Sequence, residues 1–214
     1  LQAAALRPGR VSALVLRGGR IDLAGPLSRV QAPTMLIVGG ADGELLPPEK
    51  FLSAADRYQL LPAIDRWVVK NALAALATHK EALKGRGMRF SVNISGASIA
   101  SDEFLEFMEK SIRESGVPPH ALCFELTETS AVSNLGRADR LMQRLRLLGC
   151  NFALDDFGTG LSSLVYLKSL PVSVLKIDGA FVRDAANNQR TESMVRAIAQ
   201  MARTMGMETV AQYA

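Results

Sequence analysis

The stretch NFALDDFGTGLSSL, residues 151–164, and the run VSVLKID that follows it at 172–178 decide how this chain is read. Each run begins apolar and turns polar at its end. Successive side chains on a strand point to opposite faces, so Leu175 and Ile177 oppose Lys176 and Asp178. A buried parallel strand normally reads as apolar on both faces. Here the polar groups collect toward the C-terminal end: Asp155 and Asp156 on the first strand, Lys176 and Asp178 on the second. Gly158 and Gly160 allow a tight turn between them, and the hydroxyls of Ser162 and Ser163 follow. The loop has neither the Lys-Ser/Thr ending of a phosphate loop nor a dinucleotide fingerprint.

The same pattern extends in both directions. In RFSVNIS (89–95), Phe90, Val92 and Ile94 oppose Arg89, Ser91 and Asn93. In ALCFELTE (121–128), Phe124 and Leu126 oppose Cys123, Glu125 and Thr127, and METVAQYA (207–214) carries Gln212 near its end. Helical patterns lie between these strands. One has Leu61, Ile64, Trp67, Val68, Ala72 and Leu76 at three- and four-residue spacing, and another runs from Met194 to Met205 and stops at Gly206. Regular alternation predicts a parallel α/β architecture, either an open sheet or a (β/α)₈ barrel. Both architectures build sites at the C-terminal ends of strands. Any one of these carboxylates reads well as a cap or a surface group. Several converging from separate strands need cations, because burying an unpaired carboxylate costs several kcal/mol. Oxygen donors with no Cys or His suit Mg²⁺, Mn²⁺ or Ca²⁺.

Composition narrows the class. The formal charge of +4 comes from 25 Lys and Arg against 21 Asp and Glu spread along the chain. No clustered basic groove with interleaved aromatics is present, so neither DNA nor RNA is an expected partner. No run of 18 apolar residues occurs, so no membrane span is expected, and LQAAALRPGR does not read as a secretory signal. Cys123 and Cys150 lie in apolar, strand-like runs, which predicts buried free thiols and a reducing, cytoplasmic compartment. His79 and His120 share no ligand spacing and are expected at the surface.

Taken in order and spacing, SVNIS, FELTE, LDDFGTGLSSLVYLKSLPVSVLKID and METVAQ resemble the EAL-domain cyclic-di-GMP phosphodiesterases. PPEKFLSAADRYQLLPAIDRWVV is similar to the early helical region of that family, so the resemblance covers residues 45–214. It implies a TIM-like (β/α) barrel that hydrolyses cyclic di-GMP to linear pGpG with two Mg²⁺ or Mn²⁺ ions. By motif position, Asn93, Glu125 and Asp155 would hold one ion, and Asp155 with Asp156 the other. Lys176 would orient or activate the attacking water. Glu128 would brace the DDFGTG loop, Asp178 would stand near the substrate and water network, and Ser162 and Ser163 would contact substrate. The partner implied is cyclic di-GMP; a homodimer is one open alternative, since the sequence does not give dimerisation.

Two departures shape the expectation. The family's Glu-Ala-Leu strand, which supplies a metal-binding glutamate, is not found, and the acid expected in the last strand is Gln212, weakly placed as a ligand. The closing strand and helix of the barrel are expected to be missing as well. Losing two anionic ligands predicts little or no turnover, since one such loss costs on the order of 10³-fold in rate. The alternative reading is a non-catalytic cyclic-di-GMP-binding or protein-interaction module. Residues 1–44 form a foreign, strand-rich segment that resembles a late part of a dienelactone-hydrolase-type α/β-hydrolase, with Asp42 at the position of the triad acid. No G-x-S-x-G elbow accompanies it, so hydrolase activity is not expected. The runs VSALVL and TMLIVGG are expected to pair with the barrel edge.

Overall fold

The structure is a computed structural model that describes residues 14–17, 34–37, 48–83, 88–158 and 166–212. Two strands come first, β1 (Leu14–Arg17) and β2 (Thr34–Ile37). Helices α1 (Pro48–Arg57), α2 (Leu61–Ala77) and α3 (Lys80–Leu83) precede strand β3 (Phe90–Asn93). Helices α4 (Gly96–Ile99) and α5 (Asp102–Ser115) lead to β4 (Leu122–Thr127). Then follow α6 (Glu128–Ser133), α7 (Leu135–Leu147) and β5 (Asn151–Phe157). Strand β6 (Val174–Ile177), helices α8 (Gly179–Ala185) and α9 (Gln189–Thr204), and strand β7 (Glu208–Ala211) complete the described elements.

Local chemistry explains the boundaries. The Ser101 side chain accepts from the Phe104 N–H and caps α5, whose first turn carries Asp102 and Glu103 against the positive end of the helix dipole. That helix stops at Gly116 with φ +67°, a left-handed conformation that glycine adopts without a Cβ penalty. Thr127 ends β4 and caps α6 through its hydroxyl, which accepts from the Ser130 N–H. Glu128 therefore belongs to the helix and not to the strand that the 121–128 run suggested.

The strands pair in the order β1-β2-β3-β4-β5-β6-β7, all parallel. The runs at 14–17 and 34–37 thus join the sheet next to β3, as the need to cover a bare edge predicted. The sheet is strongly curled. Arg89, at the entrance to β3, forms an ion pair with Glu208 at the start of β7. In a flat sheet those strands would stand roughly 19 Å apart, at about 4.8 Å per strand. An arginine cannot span that gap, so the sheet curls round as in an incomplete TIM-like barrel, with β1 and β7 at its two edges among the described residues.

Two apolar layers result. Outside the sheet, Phe104, Met108, Leu141, Met142 and Leu145 from the helices pack on Phe124, Phe152, Leu154 and Leu175, all at most 2% exposed. Each such side chain contributes about 1.5–3 kcal/mol when fully buried. Inside it, Cys123, Ala153 and Val174 form a small layer with Val210 packed against it. The inner layer lies directly beneath the polar rim.

Some expectations are corrected in detail. Trp67 is 46% exposed, and the buried face of α2 runs through Asp65, Val69, Ala72, Leu73 and Leu76 instead. In α9, Met194 is exposed and only Thr191 and Ala202 are buried. Cys123 and Cys150 are free and buried, and His79 and His120 are exposed, as their contexts implied. No helix among the described residues is long and apolar enough to cross a membrane.

Candidate functional site at the strand C-termini

The rim is set by register. Asn93 lies level with Glu125, and Thr127 with Asp155. Lys176 lies level with Val210, two residues before Gln212. Inward-facing positions of neighbouring strands therefore place Asn93, Glu125, Asp155, Lys176 and Gln212 at the same end of the barrel.

A bulge brings in Asp156. Leu154 pairs with Leu175 and Phe157 with Ile177, so two residues of β5 oppose the single Lys176 of β6. Asp156 takes φ +54° at this point, a conformation that Asp tolerates better than most residues. Without the bulge, consecutive side chains would face opposite sides of the sheet; with it, two adjacent acids share one rim. Period-two reading of the sequence does not reveal this irregularity. The left-handed turn continues at Gly158, φ +104°, where a Cβ would lie 3.2 Å from Cε2 of Phe181.

At the centre the Lys176 ammonium donates to Oε2 of Glu125 at 2.6 Å and to Oδ2 of Asp155 at 2.7 Å. All three residues are buried. Burial alone would lower the lysine pKa, but Glu125 and Asp155 outweigh it and hold Lys176 above its ordinary value. Burial pushes Glu125 up, with Lys176 opposing and Asp155 reinforcing the shift. Asp156 is also raised, by burial and by the charges of Asp155 and Asp178, with Gln212 and Lys176 opposing. The directions agree physically. One cation shared among several carboxylates stays protonated, and the surplus negative charge is borne by the acids.

Gln212 donates from Nε2 to Oδ1 of Asp155 at 2.5 Å. Its Oε1 is buried without a hydrogen-bond partner among the described residues, an orphaned acceptor on a rim residue. Asn93 is exposed. Asp178 is half-buried and caps α8, accepting from the Ala180 N–H at 2.7 Å.

Glu128 is buried and fixes both flanks of the glycine-containing connection. Its Oε2 accepts from the Gly158 N–H at 2.9 Å and its Oε1 from the Tyr166 hydroxyl at 2.5 Å. Tyr166 was not among the residues the sequence singled out. Its sequence signal is weak, a tyrosine in an apolar run whose buried hydroxyl requires a partner. Burial and the Glu128 carboxylate push that hydroxyl far above the usual tyrosine range. Ser162, Ser163 and Asp42 lie outside the described residues.

As the side chains stand, no three His, Cys, Asp or Glu residues among the described ones are spaced to hold an ion. The reason is visible in the centre, where Lys176 draws Glu125 and Asp155 onto itself. The donor chemistry nonetheless suits a hard cation: three carboxylates, two amides with oxygen acceptors, and one of those acceptors orphaned. The tripeptide Glu81-Ala82-Leu83 occurs in the chain, but it is helical and spans the end of α3. It supplies no strand ligand to this rim. A separate cleft of about 450 Å³ lies near the N-terminal ends of β5 and β6, lined by Arg146, Asn151, Lys168 and Ser173 among others. None of the rim residues borders it.

Comparison with known proteins agrees with this geometry. The EAL domain family model matches residues 28–213. The cyclic di-GMP phosphodiesterase PdeB of Shewanella oneidensis is 37% identical over 187 residues, which is 87% of this chain and 21% of that protein. The cyclic di-GMP phosphodiesterase PdeF of Escherichia coli is 34% identical over 179 residues, 84% of this chain and 24% of that protein. The chain thus spans about a fifth to a quarter of the length of these curated relatives. Among solved structures, the FimX EAL domain from Pseudomonas aeruginosa bound to c-di-GMP superposes with a TM-score of 0.73 at 29% identity. That superposition covers 83% of this chain and 70% of the other. With 28–213 matched and the barrel rim assembled from the same strands that carry the motifs, this chain belongs to the EAL domain family.

Proposed function

We propose that this chain binds cyclic di-GMP at the C-terminal rim of its barrel, as an EAL-type phosphodiesterase domain with hydrolysis strongly impaired. The observation that carries the reading is the buried Lys176 ammonium held between Glu125 and Asp155, with the orphaned Gln212 Oε1 beside them. In this reading Glu125, Asp155 and Asp156 hold Mg²⁺ or Mn²⁺, with the amide oxygens of Asn93 and Gln212 contributing. Such an ion, when bound, supplies a nucleophilic water at neutral pH and charge neutralisation at the phosphate. Lys176, kept cationic by its neighbours, directs positive charge at the phosphodiester oxygens. Glu128 holds the Gly158 and Tyr166 flanks of the loop, Asp178 bounds the rim beyond Asp156, and Ser162 and Ser163 are assigned to substrate.

Charge bears on the metal count. Without ligand, Glu125, Asp155, Asp156 and Lys176 sum formally to −2, which one divalent ion neutralises. A single ion is therefore proposed for the ligand-free rim, with a second admitted only by the two phosphates of bound cyclic di-GMP. A non-catalytic cyclic-di-GMP receptor is the second reading, favoured by the neutral Gln212 amide donating to Asp155 where a further carboxylate would attract a cation. The division at residue 44 is proposed as a boundary of sequence origin alone, from the α/β-hydrolase resemblance of residues 1–44, because strands on both sides of it pair in one sheet and the family match itself starts at residue 28. A cytoplasmic location is proposed from the two buried free thiols. Titration with cyclic di-GMP, with and without Mg²⁺ or Mn²⁺, followed by product analysis, tests the assignment. Binding with slow appearance of pGpG supports it; binding without product selects the receptor; no binding in either condition overturns both.

A further inference from the structure

We propose that Asp65, on the buried face of α2, is a positioning residue for Asn93. It rests on the reading of Asn93 as a cation ligand and adds the group that aims it. Asp65 is 8% exposed, and its Oδ2 accepts two hydrogen bonds, from the Ser95 N–H at 2.9 Å and from the Ser98 hydroxyl at 2.6 Å. Both donors are neutral, so no cation among these partners offsets the burial of the carboxylate, and burial raises its pKa against the effect of those bonds. Ser95 lies two residues beyond Asn93 and caps α4, accepting from the Ser98 N–H. The chain leaving β3 is thus pinned twice in succession. The Ile94 N–H donates to the Glu125 carbonyl, and the next N–H donates to Asp65.

The Asn93 side chain makes no hydrogen bond of its own among the described residues. The placement of its Cβ is therefore set by its backbone, and that backbone is held by the Glu125 carbonyl on one side and Asp65 on the other. The approach of α4 to α6 is equally tight. A Cβ on Gly96 would lie 3.1 Å from the Ser130 hydroxyl, itself hydrogen-bonded to Thr127 at the end of β4. Ser95 and Ser98 therefore tie the turn after β3 to one carboxylate on α2, and the turn after β4 packs against that turn at Gly96.

The geometry makes a specific demand, since both bonds fall on one oxygen. Asp65→Asn can keep an acceptor oxygen at that point, whereas Asp65→Leu, branched at the same carbon but apolar, cannot. In the metal-free chain, the Asn93 side-chain amide resonance should shift or broaden in Asp65→Leu and stay near its original position in Asp65→Asn. The Gln143 amide, on α7, serves as the unaffected control. Mn²⁺ affinity should fall about tenfold in Asp65→Leu, the range seen when groups that orient ligands are removed. In an Asn93→Ala background the same change should have no further effect. Should Asp65→Leu not fold, Ser98→Ala, which removes one of the two donors, should move the Asn93 resonance in the same sense by less. An unmoved Asn93 resonance, or an Mn²⁺ loss that persists without Asn93, would overturn the assignment. A chain that takes up no Mn²⁺ at all refutes the cation reading of the rim, and the metal-free resonances still decide the role of Asp65.

Discussion

Replacing Lys176 with methionine removes the cation that, among the described residues, touches both Glu125 and Asp155, while keeping most of the stem's volume. The two contacts are 2.6 and 2.7 Å long, and the side chains of Lys176, Glu125 and Asp155 are 5%, 2% and 10% exposed. At an effective permittivity near 20, each contact is worth roughly 6 kcal/mol of attraction. Desolvation of the ammonium and both carboxylates offsets most of this, so the intact cluster adds little net stability. Truncating one partner is different, because the carboxylates stay buried and lose their counter-charge, and the expected loss is about 3–5 kcal/mol. That is a large fraction of the 5–15 kcal/mol typical of a domain. The loss should depend on pH. Glu125 is already raised by burial with Lys176 opposing, and removing Lys176 raises it further. A folded-state pKa above the unfolded value, about 4.3 for Glu, means that the folded protein binds the extra proton. The associated stability is present below that value and disappears as pH rises through the folded pKa. Urea unfolding followed by circular dichroism, on wild type and Lys176→Met, should show a small difference near pH 4 and the full deficit at pH 8. A deficit under about 1 kcal/mol at pH 8, or one unchanged between the two pH values, would refute the buried cluster as described.

Three further outcomes are expected. Gln212→Glu replaces an amide that donates to Asp155 with a fourth carboxylate, so isothermal titration should find tighter Mn²⁺ binding and product analysis faster pGpG release; weaker Mn²⁺ binding would contradict the charge count. Gly158→Ala introduces a Cβ at φ +104° and 3.2 Å from Phe181, and thermal melts should register a loss of about 1–3 kcal/mol. The Cys123 and Cys150 thiols are both pushed up to about 12, chiefly by burial, so alkylation at pH 8 should be slow in the native protein and fast in urea; rapid native labelling of either would contradict its packing.

Much of this protein is written in short-range pattern. Alternation in RFSVNIS and ALCFELTE fixes which side chains face the barrel interior, because the pleat leaves no other choice. The motif spacing in 154–178 was enough to imply the family, and the strand ends were identifiable from polar residues interrupting apolar runs. Helix phase was less legible. Trp67 and Asp65 are two residues apart on α2, and hydropathy alone favours burying Trp67, yet it is Asp65 that faces inward, because two donors beyond β3 satisfy its carboxylate. The bulge at Asp155–Asp156 was equally hidden, since it depends on how β5 pairs with β6 and not on β5 itself. Composition and periodicity determine which face each residue takes within its own element. Only the curled sheet determines that Arg89 meets Glu208, that Lys176 bridges two strands, and that Gln212 leaves an oxygen bare. Those contacts join residues far apart in the chain, and their energies depend on a burial that no single segment possesses before the barrel forms.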